Sequence, residues 1–159
     1  MKIINVYAME ALFKTWITSR KLYLSYFQNY SLKQLNEIPD GFNNNLIWNI
    51  GHVIVSQQKI IYKGSNLRGY VSDDLFNKYQ SGTKPDEPVS QEEADVLKEL
   101  LISQIEPTMN DFQKGIFKTY NERTTGTGFQ LSSLQDAFEC NNYHEGLHLG
   151  IMMGIRKFV

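Results

Sequence analysis

The chain has 159 residues, with 16 Lys and Arg against 17 Asp and Glu and a formal net charge of −1. Apolar residues make up 42% and charged residues 21%, an ordinary globular balance at a length that buries a core without covalent staples. The basic residues are scattered, which argues against a surface built for nucleic acid. The single cysteine, Cys140, excludes an internal disulfide and fits a reducing compartment.

The N-terminal stretch MKIINVYAMEALFKTW has neither an apolar run of signal-peptide length nor a small-residue cleavage site. No segment approaches eighteen apolar residues. The expectation is a cytoplasmic protein with no membrane partner. A first helix is predicted from about residue 8 to 29, with Leu12, Trp16, Ser19, Tyr23 and Tyr26 on one face. The turn cluster PDGFNNN then caps a second helix, from about Asn45 to Lys63. Residues 64–89 form a long connection in which Ser72 to Tyr79 has the length of a short helix.

A third helix begins at Ser90, where Ser90 and Glu93 spell the S-x-x-E capping box. Ala94, Leu97, Leu101, Gln104 and Thr108 continue it at helical spacing. Pro107 removes a backbone donor and should kink or end it. Residues 115–131 form a second long connection, with G-T-G at 126–128. The fourth helix runs from Ser132 or Ser133 to Arg156, and its predicted inward stripe is Leu134, Ala137, Asn141, His144, His148, Ile151 and Ile155. No convincing strand pattern, internal repeat or domain boundary is present. The fold class expected is all-α: one domain over residues 1–159, a four-helix bundle with long crossover connections.

The chain has three histidines, His52, His144 and His148. The last two lie four residues apart and project from one helix face. With Glu145 they spell H-E-x-x-H, the pattern by which a zinc protease presents two ligands and a base. That reading lacks support: no H-x-x-G-x-x-H extension follows, no strand signal suggests a substrate-presenting sheet, and the chain is short for a protease with a cleft. The other metal reading joins the pair to His52 on the second helix, giving three imidazoles suited to Zn, Ni, Fe or Cu and an open position for water or substrate. Spacing alone leaves open a plain polar pair on a solvated face. Asn141, His144 and His148 interrupt an apolar row, and buried polar groups without partners are costly, which favours something bound there. Glu145 lies about 100° round the helix from His144, as a flanking solvated carboxylate or an outer partner of a ligating histidine. Cys140 could approach the site as a soft ligand but reads better as a small buried hydrophobe. Asn49 and Ser56 flank His52 as outer partners or as plain polar positions. Trp16, Tyr23 and Trp48 read as core residues, or as walls of a ligand pocket.

Two stretches carry a family likeness: residues 35–58, LNEIPDGFNNNLIWNIGHVIVSQQ, and residues 141–157, NNYHEGLHLGIMMGIRK. The first has a proline-glycine turn, then Trp48 and Gly51-His52. The second has the histidine pair, a glycine and a basic residue near the helix end. The chain resembles the DinB-like, or YfiT-like, metal-dependent proteins, four-helix bundles with one histidine on the second helix and an H-x-x-x-H pair on the fourth. The resemblance implies His52, His144 and His148 as ligands of a divalent transition metal (Zn, Ni or Fe). It also implies a homodimer, and, by likeness to some members, transfer of a low-molecular-weight thiol such as bacillithiol, mycothiol or glutathione to an electrophile. Metal-assisted hydrolysis of a small substrate is the lesser enzymatic reading. The competing reading is a non-catalytic bundle that binds metal or ligand and acts through association.

Overall fold

The computed structural model describes residues 6–159; residues 1–5, part of the stretch read above for a leader, lie outside the described residues. Helix α1 spans Val6–Asn29, and a short α2 spans Leu32–Asn36. Helix α3 covers Leu46–Gln57 and continues through a π turn at Gln58–Tyr62 and a 3₁₀ turn at Lys63–Ser65. Then come α4 (Asp73–Tyr79), α5 (Gln91–Ser103), α6 (Ile105–Gln113), a ribbon of β1 (Arg123–Thr124) and β2 (Gln130–Leu131), and α7 (Leu134–Ile155). The antiparallel ribbon pairs Arg123 with Leu131 and Thr124 with Gln130. It is two residues long on each side, too short to leave a period-2 signal, and corrects the expectation that the chain has no strand.

The starts of these helices are chemically marked. Side-chain oxygens of Asn45, Ser72, Ser90 and Ser133 accept from the backbone N–H groups of Trp48, Leu75, Glu93 and Asp136, satisfying donors that a helix leaves open. At Ser90 only half of the predicted capping box forms. The Glu93 carboxylate turns instead to Lys78 Nζ at 2.6 Å and the Tyr79 hydroxyl at 2.5 Å, tying α4 to α5. The predicted third helix breaks at Gln104, which ends α5 and begins α6. Pro107 then falls in the first turn of α6, where its missing N–H leaves no bond unmade.

Around the bundle, α1 packs on α7 and α5, and α3 packs on α7 and α5. The α1 and α3 helices are thus diagonal, as are α5 and α7, while the long connection after α3 returns to its neighbour α5. This arrangement is the four-helix bundle expected, and it sets α3 directly against α7.

The interior has two apolar clusters with a polar waist between them. One cluster gathers Tyr23 and Tyr26 of α1, Leu46 to Val55 of α3, Leu97 and Leu101 of α5, and Met152 and Ile155 of α7. The other gathers Met9, Phe13 and Trp16, then Ile60 to Tyr62, then Ala137, Phe138 and Cys140. At the level between them each long helix or its extension contributes buried polar side chains: Arg20, Gln57, Gln58, Gln104, Asn141 and Glu145. Arg20 and Glu145 are both fully buried and form an ion pair. Arg20 Nη2 donates to Glu145 Oε1 at 2.8 Å, and its Nε donates to both carboxylate oxygens at 3.0 and 3.1 Å. Trp16 Nε1 donates to the same carboxylate at 2.9 Å and Asn141 Nδ2 at 3.2 Å. The rest of the guanidinium faces the carbonyls of Leu101 and Val53, 3.4 Å away. One side chain of α1 thereby touches α3, α5 and α7.

Three expectations need correction. The inward face of α1 runs Met9, Phe13, Trp16, Arg20, Tyr23 and Tyr26, not through Leu12 and Ser19, which are only partly buried. On α7, Glu145 and Met152 are fully buried, while His144 and Ile151 are partly exposed. Glu145 is therefore neither on the flank nor solvated; its charge is matched by Arg20 in the bundle centre.

A buried pair is costly to break and much less costly to replace. Arg20→Met and Glu145→Leu should each destabilise the protein by about 3–5 kcal/mol. The double variant should lose clearly less than their sum. Urea unfolding of the three variants and the wild type checks this; additive losses would count against the pair as the organising contact.

Candidate metal centre

The contact of α3 with α7 brings the three histidines together. One ring nitrogen from each of His52, His144 and His148 lies within 4.8 Å of the other two, an arrangement that could hold a metal ion. Ring centroids are 5.1 Å apart for His52 and His144, 4.6 Å for His52 and His148, and 4.5 Å for the α7 pair. A metal bound at 2.0–2.1 Å by three tetrahedral ligands needs nitrogens about 3.4 Å apart, so the rings stand near coordination distance.

Two of the rings are oriented by the chain itself. His52 Nδ1 lies 2.7 Å from the Tyr79 carbonyl, which can only accept, so Nδ1 carries the proton and Nε2 is the unprotonated acceptor. His148 Nδ1 lies 2.8 Å from Asn49 Oδ1. The Asn49 amide cannot be turned round, because its Nδ2 donates to Asn44 Oδ1 at 2.9 Å and to the Asn45 carbonyl at 2.7 Å. His148 therefore donates through Nδ1 and also keeps Nε2 free. Nδ1 of His144 is buried with no hydrogen-bond partner among the described residues. Trp48 stacks on His52 with centroids 4.8 Å apart and planes 10° from parallel. Ser56 Oγ is 3.3 Å from His52 Nε2.

Burial keeps all three imidazoles neutral. Desolvation lowers the His52 pKa, although the Tyr79 carbonyl opposes the shift. Desolvation, then the charge that His52 would carry, lowers His144 to about 4. Desolvation, then repulsion from both other rings, lowers His148 to about 3. Neutral rings with free nitrogens, held by an amide and a carbonyl oxygen, are the form in which imidazole binds a divalent transition metal. The donor set fits such an ion.

The other residues weighed from the sequence divide cleanly. Asn49 is the orienting partner of His148, and Ser56 contacts His52. Asn141 and Glu145 serve the Arg20 network, and neither hydrogen-bonds a histidine; the expected role of Glu145 as an outer partner is filled by Asn49 and the Tyr79 carbonyl. Trp16 and Tyr23 are core residues whose polar ends meet Glu145, through its carboxylate and its backbone carbonyl. Cys140 is buried and outside the ligand group. The contribution of Tyr79 was invisible in the sequence, since a backbone carbonyl has no residue-type signature. Gly51 was a usable hint. A Cβ there would stand 2.4–2.6 Å from three atoms of the Tyr79 ring, so only glycine lets α4 close on α3 beside His52.

A cavity of about 320 Å³ opens beside His144, between the end of α3, the β1–β2 ribbon and α7. Its wall includes Ser56, Lys59, Arg123, Cys140 and Tyr143.

A family model described as the DinB superfamily matches residues 15–152, which include all three histidines. No curated protein matches the chain.

Two outcomes follow from the local physics. Gly51→Ala should destabilise the protein by about 1–3 kcal/mol through overpacking against Tyr79, read as a lowered unfolding midpoint. The metal-free protein should also weaken in acid. An unfolded histidine takes a proton near pH 6.5, whereas folded His144 and His148 resist it until about 4 and 3. Their contribution is complete above about pH 6.5 and is lost as pH falls toward 3, on the order of 3–5 kcal/mol per histidine. Urea midpoints between pH 7 and 4, compared with a His144→Gln/His148→Gln variant, should show the slope shrink in the variant.

Proposed function

The chain belongs to the DinB superfamily, and from that premise we propose that it is a metal-dependent enzyme. Its reaction would be transfer of a low-molecular-weight thiol to an electrophilic small molecule, with His52, His144 and His148 as metal ligands. The observation that carries this reading is the convergence of three neutral imidazoles beside a cavity large enough for a small molecule. Three protein ligands leave a coordination position for a substrate atom.

A divalent metal held there supplies the positive charge that lowers a thiol's pKa and makes thiolate available at neutral pH. The chain's own part is orientation. The Tyr79 carbonyl and Asn49 hold the Nδ1 protons of His52 and His148 and leave Nε2 of each ring unprotonated. The Glu93 clamp on Lys78 and Tyr79 steadies the helix that carries the carbonyl. Ser56, on the cavity wall, brings a hydroxyl to the same end of the site. Burial raises the Cys140 thiol pKa, so the wall's own cysteine stays protonated and is a poor nucleophile. That favours a thiol arriving as substrate. A homodimer belongs to the same reading; Tyr143, Leu147 and Met153 of α7 supply exposed apolar surface for it.

The test starts with metal content of protein purified without a histidine tag. About one equivalent is expected, and below about a tenth of an equivalent with no uptake of added Zn or Ni the metal assignment fails. Turnover of several thiols with a chromogenic electrophile should then fall at least about 100-fold in His148→Ala, as losing a ligand removes the metal's contribution. Metal binding with no His148-dependent turnover would move the protein to the binding-module reading. Turnover independent of thiol would move it to hydrolysis.

A further inference from the structure

The cavity beside His144 is electrostatically one-sided. Lys59, on the π turn after α3, and Arg123, on β1, both stand on its wall, and no Asp or Glu lines it. In a chain with 17 acidic residues against 16 Lys and Arg, a small cavity with two cations and no acid is a local concentration of positive charge. Both side chains are partly buried. Neither appears in an ion pair among the described residues, where the pairs are Arg20–Glu145 and Lys78–Glu93. Arg123 interacts with the Tyr120 hydroxyl, but its Nε is buried with no hydrogen-bond partner. A desolvated donor left unpaired is costly, so the guanidinium retains hydrogen-bonding capacity that the protein's own groups do not use. The hydroxyls of Thr125 and Thr127, 3.1 Å apart on the same wall, add neutral donors.

The position of the two cations matters as much as their charge. Lys59 lies three residues after Ser56 along α3 and its π-turn extension, and both line the cavity. His144 and Ser56 share the lining of the cavity with the two cations. A guanidinium matches a carboxylate through two parallel N–H···O bonds, and an ammonium adds a point charge. At about 320 Å³ the space suits a metabolite-sized ligand.

We propose that Lys59 and Arg123 form an anion-recognising subsite, so that the substrate is a small molecule whose carboxylate is held on this wall while another group faces the histidines. This deepens the proposed function and rests on it for the group facing the histidines; the carboxylate contact itself needs no metal.

The test uses succinate and its neutral analogue succinamide, titrated by NMR into wild type, Lys59→Gln/Arg123→Gln and His148→Ala, with circular dichroism confirming the fold of each. Wild type should prefer succinate by about tenfold or more, and the double variant by less than about twofold, the scale of losing charge-assisted hydrogen bonds. His148→Ala should keep the preference. Lys59→Gln alone should lose part of it, and serves as the reading if the double variant does not fold. Equal binding of the two compounds to wild type overturns the proposal. So does a preference that survives Lys59→Gln/Arg123→Gln or Lys59→Gln undiminished, or one lost only in His148→Ala, which would place the anion on the metal. A preference that stands in protein unable to take up metal would support this subsite while removing the metal assignment.

Discussion

The ion pair between Arg20 and Glu145 is the contact on which the rest of the architecture turns. Two opposite charges are fully buried where the four long helices meet. Burying a charge is tolerable only when it is paired and hydrogen-bonded, and here every helix contributes to that compensation. The carboxylate comes from α7 and the guanidinium from α1; the carbonyls of Val53 and Leu101 come from α3 and α5. Apolar packing above and below would tolerate small slides of one helix along another. A charge with a single matched partner would not. The pair therefore sets the register of α7 and the rotation about its axis.

That rotation has a direct consequence for the histidines. Glu145 directly follows His144 and lies three residues before His148. With Glu145 held toward Arg20, successive residues turn by about 100°, and the two histidines are carried to the side that faces α3 and the cavity. The H-E-x-x-H pattern thus divides its labour. Glu145 fixes the helix, and the flanking histidines present their rings. The general-base role that the same letters have in zinc proteases has no counterpart, because the carboxylate is already spent on Arg20, Trp16 and Asn141.

The crossovers complete what the helices begin. The segment between α3 and α5 contributes α4, whose last residue, Tyr79, orients His52 through its carbonyl and is itself held by Glu93 of α5. The segment between α6 and α7 contributes the ribbon that carries Arg123 and the threonines to the cavity wall. The second connection spans a diagonal of the bundle and the first joins neighbouring helices, and both build the surroundings of one site.

Much of this was legible in the residues. Helix spans, serine and asparagine caps, the break before Pro107 and the short helix after Ser72 follow from period and local hydrogen-bonding capacity, which act over a few neighbours. The pairing of His144 with His148 is equally local, since both ride one helix. The likeness in the turn, Trp48 and Gly51-His52 supplied the third histidine. What the sequence could not decide was which polar residue answers which. Arg20 sat in plain view between Trp16 and Tyr23, yet a stripe drawn through Ser19 avoided placing a charge in the core, because the partner that makes such burial tolerable lies 125 residues away. Asn141 interrupts the apolar row together with the histidines, yet its amide answers Glu145. Carbonyl orientation by Tyr79 and the meeting of Lys59 with Arg123 leave no mark in spacing at all. Local propensity determined the elements and their faces; long-range electrostatic compensation, which exists only once the helices are packed, decided how those faces were used.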